Sequence, residues 1–377
     1  MSNLVHLVRE IEPYIIKVPA VSRIKSSFLD KVDFHPNEKQ LLEIINLSLN
    51  KETLESVIDA VENKKPLSSI KPESAESNLY LAKILREEVQ KQFSEGYRPL
   101  VELISNAIDS KPKNYDGIHT VKVNFSNNYF EVYDNGIGMD LRKILDTLII
   151  PFSSDKEALD NLGRFGVGFF SDLQYCLKNP KESKVILRTG NGNNVYELKI
   201  HSNGKNVEDL VIGIKKLNGK AKGTTVKVSG IDIEKSEVEK YLSKYLEFFD
   251  PRRSIISVNG KHVNLNQAHS PAYKEYFLPV ELEYKKDKIV QDVRVSIDVL
   301  DQEKGSIQFY SQGIFVQESK LNFGRICVDM PSSVDLVEGR DELKKNRNYY
   351  LCSKEALNIL IKYGMDKSDN LLALMAL

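Results

Sequence analysis

The chain has 377 residues and 41% of them are hydrophobic, so it is long enough for two or three domains with buried cores. Its 53 Lys and Arg balance its 53 Asp and Glu, so no bulk charge favours nucleic acid or a membrane. Three scattered cysteines without a Cys-x-x-Cys pair argue against a zinc site, and no signal-peptide core or membrane-length apolar run is seen, so we expect a cytoplasmic protein without a membrane partner.

Residues 1–75 are predicted to form a mostly helical extension. An apolar helical pattern covers residues 41–49 and a second covers residues 54–61. Lys-Lys-Pro and Lys-Pro-Glu-Ser segments then break the pattern near residues 66 and 72. We expect this extension to be a helical cap or a docking module for a protein client or partner.

A buried helix is predicted from the stretch Glu102-Leu103-Ile104-Ser105-Asn106-Ala107-Ile108-Asp109, which follows a proline that a first helical turn tolerates. Its spacing places Glu102, Asn106 and Asp109 on one face, while apolar side chains fill the other faces. Buried polar side chains need partners, because leaving one unpaired costs roughly 1–3 kcal/mol. A carboxylate and an amide directed at one spot could hold a water and a hydrated cation. The alternative is a polar patch that meets the next domain.

Two glycine clusters follow this helix. The first, Asp134-Asn135-Gly136-Ile137-Gly138-Met139-Asp140, comes after a predicted hairpin whose strands are residues 120–125 and 129–133. Asp140 is a good cap for a helix over residues 141–148. The second cluster, residues 163–170 with the sequence GRFGVGFF, leads into a predicted helix. Such glycines permit positive φ and let the backbone approach a ligand, although a tight turn explains either cluster alone equally well.

The rest of the chain is rich in predicted strands. Four are expected at residues 184–188, 195–200, 210–216 and 224–229. Asp250-Pro251 is the predicted domain boundary, and a hairpin is predicted around Asn259-Gly260 just beyond it. Further strands are predicted at residues 291–300, 306–310 and 313–317.

The three polar and glycine-rich motifs, in this order, resemble those of the GHKL ATPases, which include gyrase B-type topoisomerases, ninety-kilodalton heat-shock chaperones, histidine kinases and mismatch-repair MutL proteins. That family carries E-x-x-x-N-A-x-D, D-x-G-x-G and G-x-x-G-x-G, and the resemblance covers roughly residues 78–350. The sequence GRFGVGFFS is most similar to the heat-shock chaperone branch. The resemblance implies an α+β fold: a Bergerat α/β sandwich, with a mixed and mainly antiparallel sheet under helices, at residues 76–250, with a lid at about 149–165. Residues 251–377 would form a second α/β domain resembling the chaperone middle domain.

The resemblance also implies roles for individual residues. Glu102 would be the general base, Asn106 would ligate Mg²⁺, and Asp134 would accept the exocyclic amine of adenine. Gly136 and Gly138 would let the base and ribose come close, while Met139 packs on the ring. Further contacts to the nucleotide are expected from Asp109, Gly163, Phe165, Gly166, Val167, Gly168 and Phe169.

Three other assignments depend on the resemblance. Lys156, in the lid, would reach a phosphate, although an exposed lysine without a role is at least as good an interpretation. Thr224, in preference to Thr225, would bond to the adenine-binding aspartate; threonine is also simply common in strands. Arg340 would stabilise the transferring phosphoryl group, as the arginine of S-R-E-x-L-x-x-N does in the chaperones. Here Gly339 and Asp341 replace the serine and the glutamate.

These assignments predict a Mg-ATP-dependent conformational switch that hydrolyses ATP, closes its lid and domains, and dimerises with a second copy. One alternative is an ATP-gated DNA clamp of the MORC or MutL type, for which DNA binding is possible but not indicated by the neutral charge. Another is a nucleotide-dependent interaction module without turnover, which the departures at Gly339 and Asp341 keep open. A histidine kinase is disfavoured, because none of the six histidines lies in an evident phospho-acceptor helix ahead of the site.

Overall fold

A computed structural model of the chain describes residues 15–16, 62, 97–112, 116–144, 148, 168–205, 209–263, 273–284, 287–298, 305–320, 325–334, 336 and 343–362. The helices are α1 (Arg98–Asp109), α2 (Leu141–Lys143), a 3₁₀ helix (Gly168–Asp172), α3 (Leu173–Lys178), α4 (Lys235–Tyr245) and α5 (Arg347–Lys362). The strands are β1 (Ile15–Ile16), β2 (Thr120–Ser126), β3 (Tyr129–Asp134), β4 (Lys184–Asn191), β5 (Val195–Ser202), β6 (Leu210–Leu217), β7 (Lys222–Ser229), β8 (Ile255–Val258), β9 (Lys261–His262), β10 (Tyr273–Tyr284), β11 (Asp287–Asp298), β12 (Ser306–Ser311), β13 (Ile314–Lys320) and β14 (Arg325–Met330).

The described residues fall into two compact units. The first comprises those up to residue 157, those from 162 to 238, and Arg253–Lys261. The second comprises those of Glu239–Arg252 and His262–Leu377. The predicted boundary at Asp250-Pro251 therefore lies between α4 and β8, and β8 belongs to the first unit.

The first unit contains a sheet with the strand order β1-β6-β5-β4-β7-β3-β2-β8-β9. β2 and β8 run parallel, and the other pairs with a defined register in this sheet are antiparallel. Along β2 and β3, successive side chains alternate between a buried face and a more open face of the sheet, as the period of two in a strand requires. α1 and α3 pack on the buried face. The predicted α+β fold with a mixed, mainly antiparallel sheet under helices is confirmed.

α1 is buried along nearly its whole length, and Pro99 lies in its first turn. That location is favourable, since the N–H that proline lacks would have no intrahelical partner there. Its apolar side chains pack towards β2, β3 and the 3₁₀ helix. The helix predicted from residues 102–109 is confirmed, and it begins four residues earlier.

Two turns, of which the first was predicted, show how local chemistry sets strand ends. Asn259 and Gly260 have φ values of 46° and 79°, as the central pair of an Asn-Gly hairpin requires, and they join β8 to β9. Gln312 and Gly313 have φ values of 54° and 80° and form the turn between β12 and β13. Because Gly313 is in this turn, β13 begins at Ile314, one residue later than predicted.

The described part of residues 1–75 contacts the first sheet. Ile15 and Ile16 form β1, which pairs antiparallel with β6, although no strand was predicted there. Glu62 accepts a hydrogen bond from the Tyr196 hydroxyl and pairs with Lys216, both at 2.5 Å. The other residues of the predicted helical extension lie outside the described residues.

The second unit contains a sheet with the order β10-β11-β14-β12-β13, in which only the β12–β14 pair among the described pairs is parallel. α5 covers one face of this sheet, and Tyr349, Cys352 and Ala356 are buried there. Phe248, which follows α4, packs with Tyr310 and Cys327 in a smaller cluster. Arg325 of β14 links the segment after α4 to β12, because its guanidinium pairs with Glu247 and donates to Gln308.

Candidate active site

The polar stripe of α1 includes a buried carboxylate. Glu102 is only 3% exposed, and its Oε1 lies 3.2 Å from the Nε of Arg98, one turn earlier. Asn106 and Asp109 are partly buried on the same helix. The expectation that this stripe has partners is met for Glu102 by Arg98, which the sequence analysis did not single out. The Arg-x-x-x-Glu spacing is the signal that could have indicated the pair.

A second carboxylate, Asp172, is fully buried at the end of the 3₁₀ helix, which packs against α1. Neither of its oxygens has a hydrogen-bond partner in the described part of the chain. Burial, and to a lesser degree the charge of Glu102, raises its pKa well above the ordinary value of 3.8. Burial therefore favours the neutral form of Asp172, which lies within electrostatic reach of Glu102.

Asp134, at the end of β3, is held by two donors. Its Oδ1 accepts the Ser110 hydroxyl and the Gly136 N–H, each at 2.8 Å. The carboxylate is only 4% exposed. Ser110 directly follows α1, so this contact joins the end of the helix to the end of the strand. Two hydrogen bonds to one oxygen fix the orientation of the carboxylate.

The glycines of the first cluster are required by neighbouring protein atoms. A Cβ on Gly136 would lie 1.9 Å from the Ser110 Oγ. Gly138 has a φ of +64°, and a Cβ there would lie 1.9 Å from the Gly190 carbonyl oxygen of β4. Both glycines are thus needed to close the loop onto α1 and the sheet, whatever approach they also allow to a ligand.

Two threonines support the backbone of this loop. Met139 donates its N–H to the Thr189 hydroxyl at 2.9 Å. The Thr189 hydroxyl lies 2.9 Å from that of Thr224, which is opposite Asp134 in the β3–β7 register. Thr224 thus adjoins the predicted adenine-binding residue, and its proposed bond to that residue stays a prediction. Thr189 was missed because a threonine in a strand carries no distinguishing pattern.

The phosphate side of the predicted site is described only in part. Gly168 begins the 3₁₀ helix, Phe169 is buried within it, and α3 follows directly, as the second cluster predicted. Lys156, Gly163, Phe165, Gly166, Val167 and Arg340 lie outside the described residues. Leu336 and Leu343, which flank the Arg340 segment, pair as an isolated antiparallel bridge.

The donor set suits magnesium bound together with a nucleotide. In the described part of the chain, no group of three or more His, Cys, Asp or Glu side chains could enclose a metal ion. Mg²⁺ commonly takes one or two protein ligands and completes its shell with water and phosphate oxygens. The amide oxygen of Asn106, half-buried on the same helix as Glu102, is a hard ligand of the right type. The residues present therefore fit the ion.

Comparison with known proteins identifies the domain that carries this site. The family model for histidine kinase-, DNA gyrase B-, and HSP90-like ATPases matches residues 97–232, which include α1, the first glycine cluster and β7. Residues 97–232 are thus similar to the GHKL ATPase domains. The predicted family resemblance is confirmed for this segment, and its closeness to the heat-shock chaperone branch is supported by a relative.

That relative is the chaperone protein HtpG of Sulfurovum sp. (strain NBC37-1). It is 29% identical over a match of 130 residues, with a coverage of 26% of this chain and 21% of HtpG. The match thus spans about a fifth of the length of that chaperone. In the described part of the chain, no helix combines the length and the apolar character needed to cross a membrane.

Proposed function

We propose that this protein binds Mg-ATP through its GHKL domain and hydrolyses it, using the cycle to switch conformation. The observation that carries the hydrolytic part is the buried Glu102 on α1, within a domain of an ATPase family. A buried carboxylate beside the nucleotide can take a proton from an attacking water. The other polar groups of the site support binding rather than chemistry.

In the proposed reaction, Glu102 accepts a proton from a water molecule as the water oxygen bonds to the γ-phosphorus. The bond between the γ-phosphorus and the oxygen that bridges it to the β-phosphate breaks, and ADP and phosphate are released. Arg98, paired with Glu102 at 3.2 Å, holds the carboxylate in place. Asn106 would hold Mg²⁺, which when bound neutralises charge on the phosphates.

The base would be recognised by Asp134. Its fixed carboxylate accepts the exocyclic amine of adenine, whereas it would repel the carbonyl oxygen that guanine presents at the same position. Met139, whose backbone Thr189 holds, would pack on the ring. This proposal makes the protein selective for adenine nucleotides.

We further propose that ATP binding closes the lid and favours a homodimer, as the heat-shock branch of the family suggests. Sedimentation with and without a non-hydrolysable ATP analogue, each with and without DNA, tests this part. An increase in mass with the analogue alone supports the dimer. A shift that requires DNA would favour the clamp of the MORC or MutL type.

The hydrolytic function is tested with Glu102→Gln, which keeps the shape of the side chain and removes its basicity. ATP binding measured by calorimetry should be retained, while phosphate release falls by about 10²–10⁴-fold. Glu131→Gln is the matched control, because Glu131 lies on the opposite face of β3 from Asp134. Normal hydrolysis by Glu102→Gln would remove Glu102 from the chemistry.

A further inference from the structure

A chain of hydrogen bonds extends from the Asp134 carboxylate through the interior of the first unit. The Ser110 Oγ lies 2.8 Å from Asp134 Oδ1 and 3.3 Å from the Nε2 of His119. The other ring nitrogen, Nδ1, lies 2.7 Å from the hydroxyl oxygen of Ser254. His119 directly precedes β2, and Ser254 directly precedes β8, the strand parallel to β2. These hydrogen bonds therefore connect the ends of α1, β2, β3 and β8.

The positions of the protons in this series of hydrogen bonds follow from a count of donors and acceptors. The Ser110 hydroxyl has one hydrogen and three possible acceptors within reach: the Ala107 carbonyl at 2.7 Å, Asp134 Oδ1 at 2.8 Å and, in the tautomer without a hydrogen there, His119 Nε2 at 3.3 Å. The Ala107 carbonyl already accepts the Ser110 backbone N–H at 3.2 Å. A hydrogen bond to a charged carboxylate is stronger than one to a carbonyl. The Ser110 hydroxyl therefore donates its hydrogen bond to Asp134.

The tautomer of His119 is then determined. Because the Ser110 hydroxyl donates to Asp134, the Ser110 oxygen must accept a hydrogen bond from His119. The imidazole must therefore carry its hydrogen on Nε2. Nδ1 is left without a hydrogen and accepts the Ser254 hydroxyl. His119 is only 2% exposed, and burial first, with the charge of Lys111 second, lowers its pKa to about 4. The imidazole is thus neutral near pH 7. Only a neutral ring can donate from Nε2 while it accepts at Nδ1.

We propose that Ser110 and His119 are positioning residues that orient the Asp134 carboxylate and so set the preference of the site for adenine over guanine. This inference rests on the proposed nucleotide function. Ser110 acts on Asp134 directly, and His119 acts through Ser110 by occupying its acceptor side. Gly136 supports the arrangement, since any Cβ at that position would collide with Ser110. Ser254 anchors the far end of the ring.

The test measures the dissociation constants of ATP and GTP by calorimetry on the full chain. Ser110→Ala should weaken ATP binding by about tenfold, the effect of losing one hydrogen bond to a charged group. GTP gains nothing from Asp134, so its affinity should stay the same and the ATP/GTP ratio should fall. Ser126→Ala, at a partly buried serine of the β2–β3 hairpin, is the matched control and should leave the ratio unchanged.

Two substitutions of His119 distinguish the role of its Nε2 from that of its Nδ1. The amide of glutamine reaches the position of Nε2 and can still donate to Ser110, whereas that of asparagine reaches only the position of Nδ1. His119→Gln should therefore retain the ATP/GTP ratio, and His119→Asn should lower it as Ser110→Ala does. A purely structural role for His119 predicts that both variants lose stability and that neither changes the ratio.

The tautomer provides an independent measurement. The ¹⁵N chemical shifts of the imidazole should show a neutral His119 with its hydrogen on Nε2 at pH 7. A hydrogen on Nδ1 overturns the proposal, and so does an unchanged ATP/GTP ratio in folded Ser110→Ala and His119→Asn. If the wild-type protein binds no ATP, the proposed function itself fails. If it binds ATP and the ratio is insensitive, only the positioning role fails.

Discussion

At the scale of single residues, the most unusual feature of the site is the burial of three ionisable side chains. Arg98, Glu102 and Asp172 are 7%, 3% and 0% exposed. A buried charge is costly unless a partner compensates it, and Arg98 can compensate one carboxylate by direct pairing. The raised pKa of Asp172 favours its neutral form, and in that form these three side chains together carry no net charge. This raised pKa is the expected result first of burying a second carboxyl and then of placing it close to the charge of Glu102.

This arrangement predicts that Asp172 makes stability depend on pH. The folded protein keeps the proton of Asp172 at pH values where the unfolded chain, with a pKa near 3.8, has lost it. The contribution of this group is complete below about pH 3.8 and is lost as the pH rises towards the folded pKa. Asp172→Asn does not titrate, so its free energy of unfolding relative to wild type should increase with pH, by at most about 1.4 kcal/mol per unit.

Denaturant unfolding at several pH values between 4 and 8 measures this difference. Asp232→Asn, which changes an exposed carboxylate, is the control and should give no such slope. A difference between Asp172→Asn and wild type that stays constant with pH would mean that Asp172 is ionised in the folded protein.

At the scale of elements, the loop after β3 is fixed by backbone contacts on both sides. Gly138 approaches Gly190 of β4, and Gly223 of β7 approaches the Asp134 carbonyl, where a Cβ would lie 2.2 Å away. Met139 is held to β4 through the Thr189 hydroxyl. The loop that carries the predicted base site is therefore part of the sheet packing and does not depend on a ligand for its position.

Gly138→Ala should consequently destabilise the protein more than an alanine at a glycine with positive φ in open space. Gly192 is the matched site, since its φ is +99° and a Cβ there meets nothing within 4 Å. Gly192→Ala should cost roughly 1–3 kcal/mol from backbone strain alone. Gly138→Ala adds a collision with a carbonyl, and such overpacking typically costs roughly another 1–3 kcal/mol. Equal losses in denaturant unfolding would show that the contact with Gly190 relaxes freely.

The sequence predicted those parts of the site that have a local pattern. The helical spacing of Glu102 and Asn106, the Asp134 cluster after an alternating strand, and the Asn259-Gly260 hairpin each depend on residues close in the chain, and the structure contains all three elements. Ser110, Thr189 and Asp172 act through partners 24 to 50 residues away or through burial, which no short pattern records. β10, α4 and α5 were not predicted either. The residues predicted in the lid and at Arg340 stay predictions.

At the scale of the whole molecule, the chain leaves the first unit and returns to it. Glu239–Arg252 belongs to the second unit, and Arg253–Lys261 then supplies β8 to the first. β8 pairs in parallel with β2 from Ile255 to Val258, and the Asn259 side chain accepts the Phe125 N–H at 3.0 Å. Ser254 also bonds to His119. The first unit is therefore completed by residues beyond the predicted boundary at Asp250.

A fragment that ends at residue 250 should for this reason be less stable than one that ends at residue 263. The longer fragment retains Ile256 and Val258, which are 0% and 7% exposed, and burying each such side chain stabilises by roughly 1.5–3 kcal/mol. Both fragments share residues 239–250, so the loss of partners of that segment affects them equally. Thermal unfolding should give a higher midpoint for the longer fragment. Ile256→Asp in that fragment should lower the midpoint towards that of the shorter one, because a carboxylate in the β8 core position cancels the burial. If the two fragments unfold together, β8 adds nothing to the first unit, and Ser254 cannot be an anchor for His119.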